Sequence, residues 1–134
     1  MKPEDILEQP ALVLSQPQRE QYFADGFLTI PNAISAEWLE RLRTLSDQFL
    51  DSSRQFSASD NVFDLGPAHS LDTPHVRRLK ALVDRHPDFW AFASNSPLTD
   101  IAADLVGPDV KFHSSKLNYK SPGGGEVVKW HQDI

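Results

Sequence analysis

The sequence predicts an α+β protein in which helices come first and, apart from one short early strand, strands begin only near the carboxyl end. Apolar residues at helical spacing, separated by capping residues, recur through most of the chain before residue 110, and β-forming residues then flank a Ser-Pro-Gly-Gly-Gly loop. With 134 residues the chain has room for one hydrophobic core. We therefore expect a mainly helical region over residues 1–109 and the first strands of a sheet domain over residues 110–134.

The composition narrows the possible functions. Hydrophobic residues make up 40% and charged residues 24%, which is ordinary for a soluble globular chain. The formal net charge is −6, from 13 Lys and Arg against 19 Asp and Glu, and it disfavours nucleic acids and anionic membranes as partners. Cysteine is absent, so any metal must be held by His and carboxylates. The first residues lack the features of a signal peptide, so we expect a cytoplasmic protein.

Two helices and a short strand are predicted in the first third of the chain. Ser15 followed by Gln18 forms a capping-box pattern, and Gly26 stands where a helix over residues 16–25 would end with a positive φ. Residues 27–30 are mostly β-formers and predict a short strand that stops at Pro31. Ser35 caps a second helix, whose core-facing residues step by four, three and four: Trp38, Leu42, Leu45 and Phe49.

The middle of the chain combines a long irregular stretch with further helical patterns. Residues 51–73 show no periodicity and predict a long loop, either functional or mobile. Val76, Leu79 and Val83 then fit a helix over residues 74–85, with a basic side that water would solvate. A short helical segment follows Pro87, and a last helix is expected between Ser96-Pro97 and Gly107-Pro108.

Strand-forming residues dominate the end of the chain. Residues 110–119 and 126–134 flank the glycine-rich residues 121–125, as two strands joined by a flexible loop would. A two-stranded hairpin is marginal by itself and leaves an unpaired edge. We therefore expect the sequence to be a fragment of a larger protein.

The second predicted strand carries the candidate metal ligands. Residues alternate faces along a strand, so the side chains of His131 and Asp133 would point the same way. Such a pair can supply two of the three ligands in the His, carboxylate, His site of non-haem Fe(II) enzymes. The pattern is weak by itself, because His86-Pro87-Asp88 repeats the spacing between two helical segments. The spacing alone favours the alternative of a surface strand whose polar side meets water.

The preceding strand supports a binding pocket only slightly. Ser114, Lys116 and Asn118 would share one face, and a polar face beside His131 and Asp133 would line a pocket for an anion. The alternative is a solvated edge strand that its lysines protect from pairing. The sequence contains neither a phosphate-binding glycine motif nor the Gly-x-Ser-x-Gly pattern of a serine hydrolase.

Three stretches together resemble a known family. Residues 22–33, 112–123 and 130–133, the last reading Trp-His-Gln-Asp, are similar to the opening helix and strand, the lead-in strand and the iron motif of the phytanoyl-CoA dioxygenase family. The resemblance covers nearly the whole chain and corresponds to the amino-terminal half of these Fe(II)- and 2-oxoglutarate-dependent oxygenases. The three stretches occur in the family's order, which makes the resemblance far more specific than any single one of them.

The resemblance implies a fold and a set of functional residues. The fold is a double-stranded β-helix, or jelly roll, incomplete in this chain, with the helices of residues 1–109 packed outside the barrel. His131 and Asp133 would bind iron, Asn118 and Lys116 would contact co-substrate or substrate, and Lys80 would reach the 2-oxoglutarate carboxylate. The implied reaction couples oxidative decarboxylation of 2-oxoglutarate by dioxygen to hydroxylation of a small organic substrate. The family's second iron-binding His and its 2-oxoglutarate-binding Arg lie farther downstream, so we expect these 134 residues to be inactive alone.

Two other classes of function stay open at this point. One is a non-catalytic helical module that binds a protein partner through its open sheet edge. The other is a cupin-like metal hydrolase, which would show zinc-dependent activity without dioxygen.

Overall fold

The computed structural model describes residues 1–122 and 129–132. In these residues the helices are α1 (Pro3–Leu7), α2 (Gln16–Asp25), α3 (Ala36–Ser52), α4 (Pro87–Asn95) and α5 (Pro97–Val106). The strands are β1 (Phe63–Leu65), β2 (Val76–Lys80) and β3 (Lys116–Asn118), and single 3-10 turns span Ser53–Gln55 and Leu82–Asp84. This mixture of helices with a small sheet confirms the α+β class, while the jelly roll stays a prediction.

Capping residues fix both ends of α2 and the start of α3, as the sequence predicts. The Gln18 side-chain oxygen accepts a hydrogen bond of 2.9 Å from the backbone N–H of Ser15, and Gly26 ends α2 with a φ of 79°. At the start of α3 the Ser35 hydroxyl oxygen accepts from the Trp38 backbone N–H at 3.2 Å. Both helices therefore begin, and α2 also ends, where local chemistry satisfies their terminal backbone groups.

Helices α4 and α5 follow one another through a shared cap, as their Pro and Ser residues predict. Ser96 ends α4, and its hydroxyl oxygen accepts from the Leu98 backbone N–H at the start of α5. Pro87 and Pro97 each occupy the first turn of a helix, where a missing N–H costs no hydrogen bond. Gly107 ends α5 with a φ of 106°.

The strands form one antiparallel sheet in the order β1, β2, β3. Phe63 pairs with Leu79 and Asp64 with Arg78, but Leu65 pairs with Val76, so Arg77 is an extra residue that bulges out of β2. On the other side of β2 the pairs are Arg78 with Asn118, Leu79 with Leu117 and Lys80 with Lys116.

The helix predicted over residues 74–85 is wrong, because β2 occupies Val76–Lys80. The bulge at Arg77 explains the error: the extra residue brings Val76 and Leu79, three positions apart, to the same buried face. That spacing also fits one face of a helix, so the apolar pattern alone did not distinguish the two structures. A 3-10 turn at Leu82–Asp84 follows the strand.

Other local predictions are corrected elsewhere in the chain. Residues 27–30 form no strand, and Phe27 is 63% exposed and pairs with no strand in the part of the chain that the structure describes. The long stretch 51–73 contains a 3-10 turn and β1. Within residues 110–119 only Lys116–Asn118 is a strand. Residues 129–132 have no regular structure, and the rest of the predicted strand 126–134 lies outside the described residues.

The hydrophobic core lies between one face of the sheet and helices α3 and α4. Its buried members come from all these elements: Leu45, Phe63, Val76, Leu79 and Phe89. Leu79 is fully buried, which stabilises the fold by about 1.5–3 kcal/mol relative to an exposed side chain. Because the core covers one face of the sheet, the other face carries the polar side chains of β2 and β3.

A second buried cluster holds the amino-terminal segment against α5. The carboxylate of Asp104 accepts hydrogen bonds from the backbone N–H groups of Leu12, Val13 and Leu14 at 2.7–2.8 Å. Arg19, 1% exposed, donates to the carbonyl oxygens of Asp104, Gln9 and Ile6. These contacts provide partners for the polar groups that the packing of α1, α2 and α5 removes from water.

Candidate functional site

The polar face of the sheet collects three of the residues predicted to bind co-substrate or substrate. Lys80 lies directly opposite Lys116, and Arg78 lies directly opposite Asn118. Opposite residues of an antiparallel pair project to the same side, and Leu79 and Leu117 occupy the other side. Asn118, Lys116 and Lys80 therefore share one face, although Lys80 reaches it from a strand and not from the predicted helix.

Lys80 is already engaged with the loop before β1. Its ammonium group donates a hydrogen bond of 2.8 Å to the carbonyl oxygen of Asp60. The carboxylate of Asp60 accepts from the backbone N–H groups of Val62 and Phe63 at 2.8 and 2.6 Å. The hydrogen bond from Phe63 is the main reason that the pKa of Asp60 lies below its usual value, and the charges of Lys80 and Arg85 lower it further.

The other groups on this face are hydrogen-bond donors. Nε of Arg78 donates to Oδ1 of Asn118 at 3.3 Å, which leaves the side-chain NH₂ of Asn118 as the donor end of the amide. In the described part of the chain the Lys116 ammonium has neither a hydrogen bond nor an ion pair. The Lys116 ammonium, the terminal nitrogens of Arg78 and the Asn118 NH₂ are thus donors that have no acceptor within the described residues, an arrangement that suits a carboxylate.

His131 is exposed, and a hydrogen bond fixes its tautomer. Its Nδ1 lies 2.8 Å from the carbonyl oxygen of Lys129, and a carbonyl oxygen can only accept, so Nδ1 carries the proton. In the neutral ring Nε2 then holds the lone pair. Histidines that ligate metals commonly donate their other ring N–H to a carbonyl in this way, so His131 fits the role of a metal ligand.

The second predicted ligand, Asp133, lies outside the described residues. Within residues 1–122 and 129–132, no group of three or more His, Asp or Glu side chains is placed to hold a metal ion. The pairing of His131 with Asp133 therefore stays a prediction.

His86-Pro87-Asp88, which repeats the spacing of the iron motif, has a structural role. Nδ1 of His86 accepts from the Asp88 backbone N–H at 3.2 Å and caps α4. The carboxylate of Asp88 pairs with Arg41 at 2.6 Å. The imidazole and the carboxylate are thus used in holding the start of α4 and its contact with α3.

An apolar groove lies beside the polar face. Its volume is about 1170 Å³, and it runs between α3, α4 and the segment leading into β3. The groove and the polar face share Lys116. The apolar lining comes mainly from Leu39, Leu42, Phe89, Phe92, Leu98 and Phe112. At the end of β3, the Tyr119 hydroxyl donates to the Ser46 carbonyl oxygen at 2.9 Å and fixes the strand to α3.

Sequence reasoning missed Arg78 as a member of the polar face. The helix predicted over residues 74–85 would place Arg78 on its solvated side, where a charge needs no special role. Reading residues 78–80 as a strand would have placed Arg78 and Lys80 on one face, because they are two positions apart. The bulge at Arg77 concealed this alternation.

The comparison with protein families identifies the family to which the chain belongs. The model of the family described as "Phytanoyl-CoA dioxygenase (PhyH)" matches residues 22–134. The match includes the sheet, the polar face and the His131 motif, and the chain belongs to this dioxygenase family.

Curated proteins similar to the chain are named as dioxygenases. Ectoine dioxygenase of Sphingopyxis alaskensis is 24% identical over 124 residues, which cover 90% of this chain and 38% of that protein. Ectoine dioxygenase of Stutzerimonas stutzeri is 27% identical over 118 residues, covering 86% and 36%. A protein of Stutzerimonas stutzeri named "Probable alpha-ketoglutarate-dependent hypophosphite dioxygenase" is 24% identical over 119 residues, covering 87% and 40%. The chain thus spans about two fifths of the length of these relatives.

No solved structure is significantly similar to the chain. Among the helices of the described residues, none has the length and apolar character needed to cross a bilayer.

Proposed function

We propose that the protein is an Fe(II)- and 2-oxoglutarate-dependent dioxygenase that hydroxylates a small organic substrate, with residues 1–134 as its amino-terminal portion. The observation that carries the proposal is the family match over residues 22–134, whose last residues include His131 with its Nε2 lone pair set by the Lys129 carbonyl. The relative named as α-ketoglutarate-dependent supports the choice of co-substrate.

In this proposal His131 and Asp133 hold the iron and Asn118 and Lys116 hold a carboxylate of co-substrate or substrate. Iron with 2-oxoglutarate supplies the oxidative chemistry, in which dioxygen is consumed and 2-oxoglutarate becomes succinate and carbon dioxide. The Nδ1–H group of His131 donates a hydrogen bond to the Lys129 carbonyl oxygen, and this hydrogen bond keeps the imidazole oriented. Lys80 acts at longer range, as a positive charge held beside the face by the Asp60 carbonyl.

Three further parts of the proposal concern the whole protein. The sheet would continue as a jelly roll, and a second His ligand and an Arg for 2-oxoglutarate would follow residue 134. Residues 1–134 alone would then be inactive. We also propose a cytoplasmic protein, and the net charge of −6 supports the absence of nucleic-acid and anionic-membrane partners.

The test compares the complete gene product with its His131→Ala variant in the conversion of 2-oxoglutarate to succinate with added Fe(II). We expect the variant to lose about a hundredfold or more in rate, because a metal ligand is removed. His113→Ala is the matched control, since His113 is exposed and contacts only its neighbour Ser114 among the hydrogen bonds of the described residues. Equal rates in the unsubstituted protein and His131→Ala would refute the assignment.

The open edge of β3 favours a second candidate function. In the described residues β3 pairs with β2 alone, and no described strand covers its other edge. A non-catalytic module could bind a protein partner by adding a strand there. A folded 134-residue chain that binds a partner and has no affinity for Fe(II) would favour this function over the enzyme.

A further inference from the structure

The polar face contains a residue that the family resemblance did not assign. We infer that Arg78 is a positioning residue, which orients the side-chain amide of Asn118 so that its NH₂ faces a bound carboxylate. This inference rests on the proposed function, because the carboxylate in question is that of 2-oxoglutarate.

The orientation of the amide follows from the chemistry of the pair. Nε of Arg78 can only donate, so the Asn118 atom that it contacts at 3.3 Å must be the carbonyl oxygen Oδ1. With Oδ1 directed towards Arg78, the two N–H groups of the amide point the other way. Without Arg78 either end of the amide could face an anion, and a carbonyl oxygen there would repel it.

The cross-strand register keeps the two side chains together. Arg78 and Asn118 are directly opposite in the pairing of β2 with β3. Asn118 and Lys116 are two residues apart on the same strand and so share the face. The oriented amide therefore belongs to the same donor group as the Lys116 ammonium, which has no partner in the described residues.

Lys80 is the less suitable neighbour for this role. It lies opposite Lys116, and its ammonium group is held by the carbonyl oxygen of Asp60 at 2.8 Å. The like charges of Lys80 and Lys116 would repel one another across the strands. The hydrogen bond to the Asp60 carbonyl holds the Lys80 ammonium towards the loop before β1. Arg78, by contrast, uses its Nε on Asn118, and its terminal nitrogens have no hydrogen bond within the described residues.

The pair contributes little to folding, so it can be altered without unfolding the protein. Both side chains are exposed, and exposed hydrogen bonds and ion pairs stabilise proteins only weakly. Arg78→Ala is therefore a suitable variant. Lys111→Ala is its matched control, since Lys111 is exposed and the change removes the same charge from outside the polar face.

The first measurement follows the side-chain amide of Asn118 by NMR relaxation in the ¹⁵N-labelled 134-residue chain without ligand. We expect the amide order parameter to fall in Arg78→Ala and to stay unchanged in Lys111→Ala. An amide that is equally ordered in the unsubstituted chain and in Arg78→Ala would overturn the positioning role, whatever the protein binds.

The second measurement is the dissociation constant for 2-oxoglutarate in the complete gene product with Fe(II) under anaerobic conditions. We expect Arg78→Ala to weaken binding about five- to tenfold, because the Asn118 amide loses the hydrogen bond that orients it towards the carboxylate. Lys111→Ala should change the dissociation constant less than about twofold. Equal weakening in both variants would show a general charge effect and overturn the inference. An unsubstituted protein that binds no 2-oxoglutarate would instead refute the proposed function.

Discussion

Asp104 shows how one buried carboxylate organises a segment with no regular structure. Residues 12–14 are outside any helix or strand, yet their three backbone N–H groups donate to this single side chain. Asp104 is 2% exposed, so its oxygens have lost their contact with water and depend on these donors. The segment is therefore held by one residue that is about ninety positions away in the sequence.

Asp104→Asn should destabilise the protein strongly. The amide keeps one acceptor oxygen and places an NH₂ group against backbone N–H donors, so at least one buried donor loses its partner. We expect a loss of about 3 kcal/mol in the free energy of unfolding, measured by urea denaturation. Asp100→Asn on the same helix is the control and should cost less than about 1 kcal/mol, because Asp100 is exposed. Equal losses in both variants would contradict the role of Asp104.

The same residue should make stability fall in acid. Burial by itself raises the pKa of Asp104, but the hydrogen bonds from Leu14, Leu12 and Val13 and the charge of Arg19 outweigh it, so the pKa lies below its usual value. A lowered pKa stabilises the fold above the unfolded value of about 4, and this contribution is lost as the pH falls through the folded pKa. Urea midpoints between neutral and acid pH should fall less steeply in Asp104→Asn than in the unsubstituted chain.

The hydrogen bond from Lys80 to the loop before β1 can be tested through the pKa of Asp60. Its charge is one of the groups that lower the pKa of Asp60, after the backbone hydrogen bond from Phe63. Lys80→Met should therefore raise the pKa of the Asp60 carboxyl group, followed by NMR titration, while Lys111→Met should leave it unchanged. A pKa of Asp60 that does not respond to Lys80→Met would show that the ammonium group is not held there in solution.

At the scale of elements, Gly26 determines how α2 ends. Its φ of 79° lies in the left-handed region, and a Cβ added there would meet no atom within 4 Å, so the cost of a side chain is conformational alone. We expect Gly26→Ala to lower the free energy of unfolding by about 1 kcal/mol and Gly26→Asn to lower it less, in thermal denaturation. An Ala variant as stable as the parent would contradict this ending of the helix.

The elements also show which features a sequence pattern can predict. The helices with local caps were predicted from the sequence, since Ser15, Gly26, Ser35 and Ser96 act on backbone groups a few residues away. Strand β2 was missed because its burial pattern depends on the bulge at Arg77, which is defined by pairing with β1. Residues 27–30 have β-forming side chains but pair with no strand among residues 1–122 and 129–132, so propensity alone was insufficient.

The candidate site was likewise predictable only where it depends on the order of residues within one segment. The strand alternation of Lys116 and Asn118 is a local property, and the structure keeps it. The contribution of Arg78 depends on the register between β2 and β3, and the engagement of Lys80 depends on a loop twenty residues earlier in the chain. Neither of these non-local contacts is visible in the spacing of residues within one segment.

At the scale of the whole molecule, the fold separates two surfaces of one small sheet. Helices α3 and α4 cover the apolar face and form the core with it. The other face gathers cationic and amide donors, and its strands lie within the family match over residues 22–134, which also includes His131. In the proposed dioxygenase, the sheet would supply both the rigid support and the groups that bind a carboxylate.

The most direct test of the proposed dioxygenase follows the oxygen atoms. The complete gene product is supplied with Fe(II), 2-oxoglutarate and ¹⁸O-labelled dioxygen, and the succinate is analysed by mass spectrometry. Our account predicts that succinate gains one oxygen atom from dioxygen and that His131→Ala forms almost none. Succinate that carries no label from dioxygen, or a protein that forms no succinate with Fe(II) present, would contradict it.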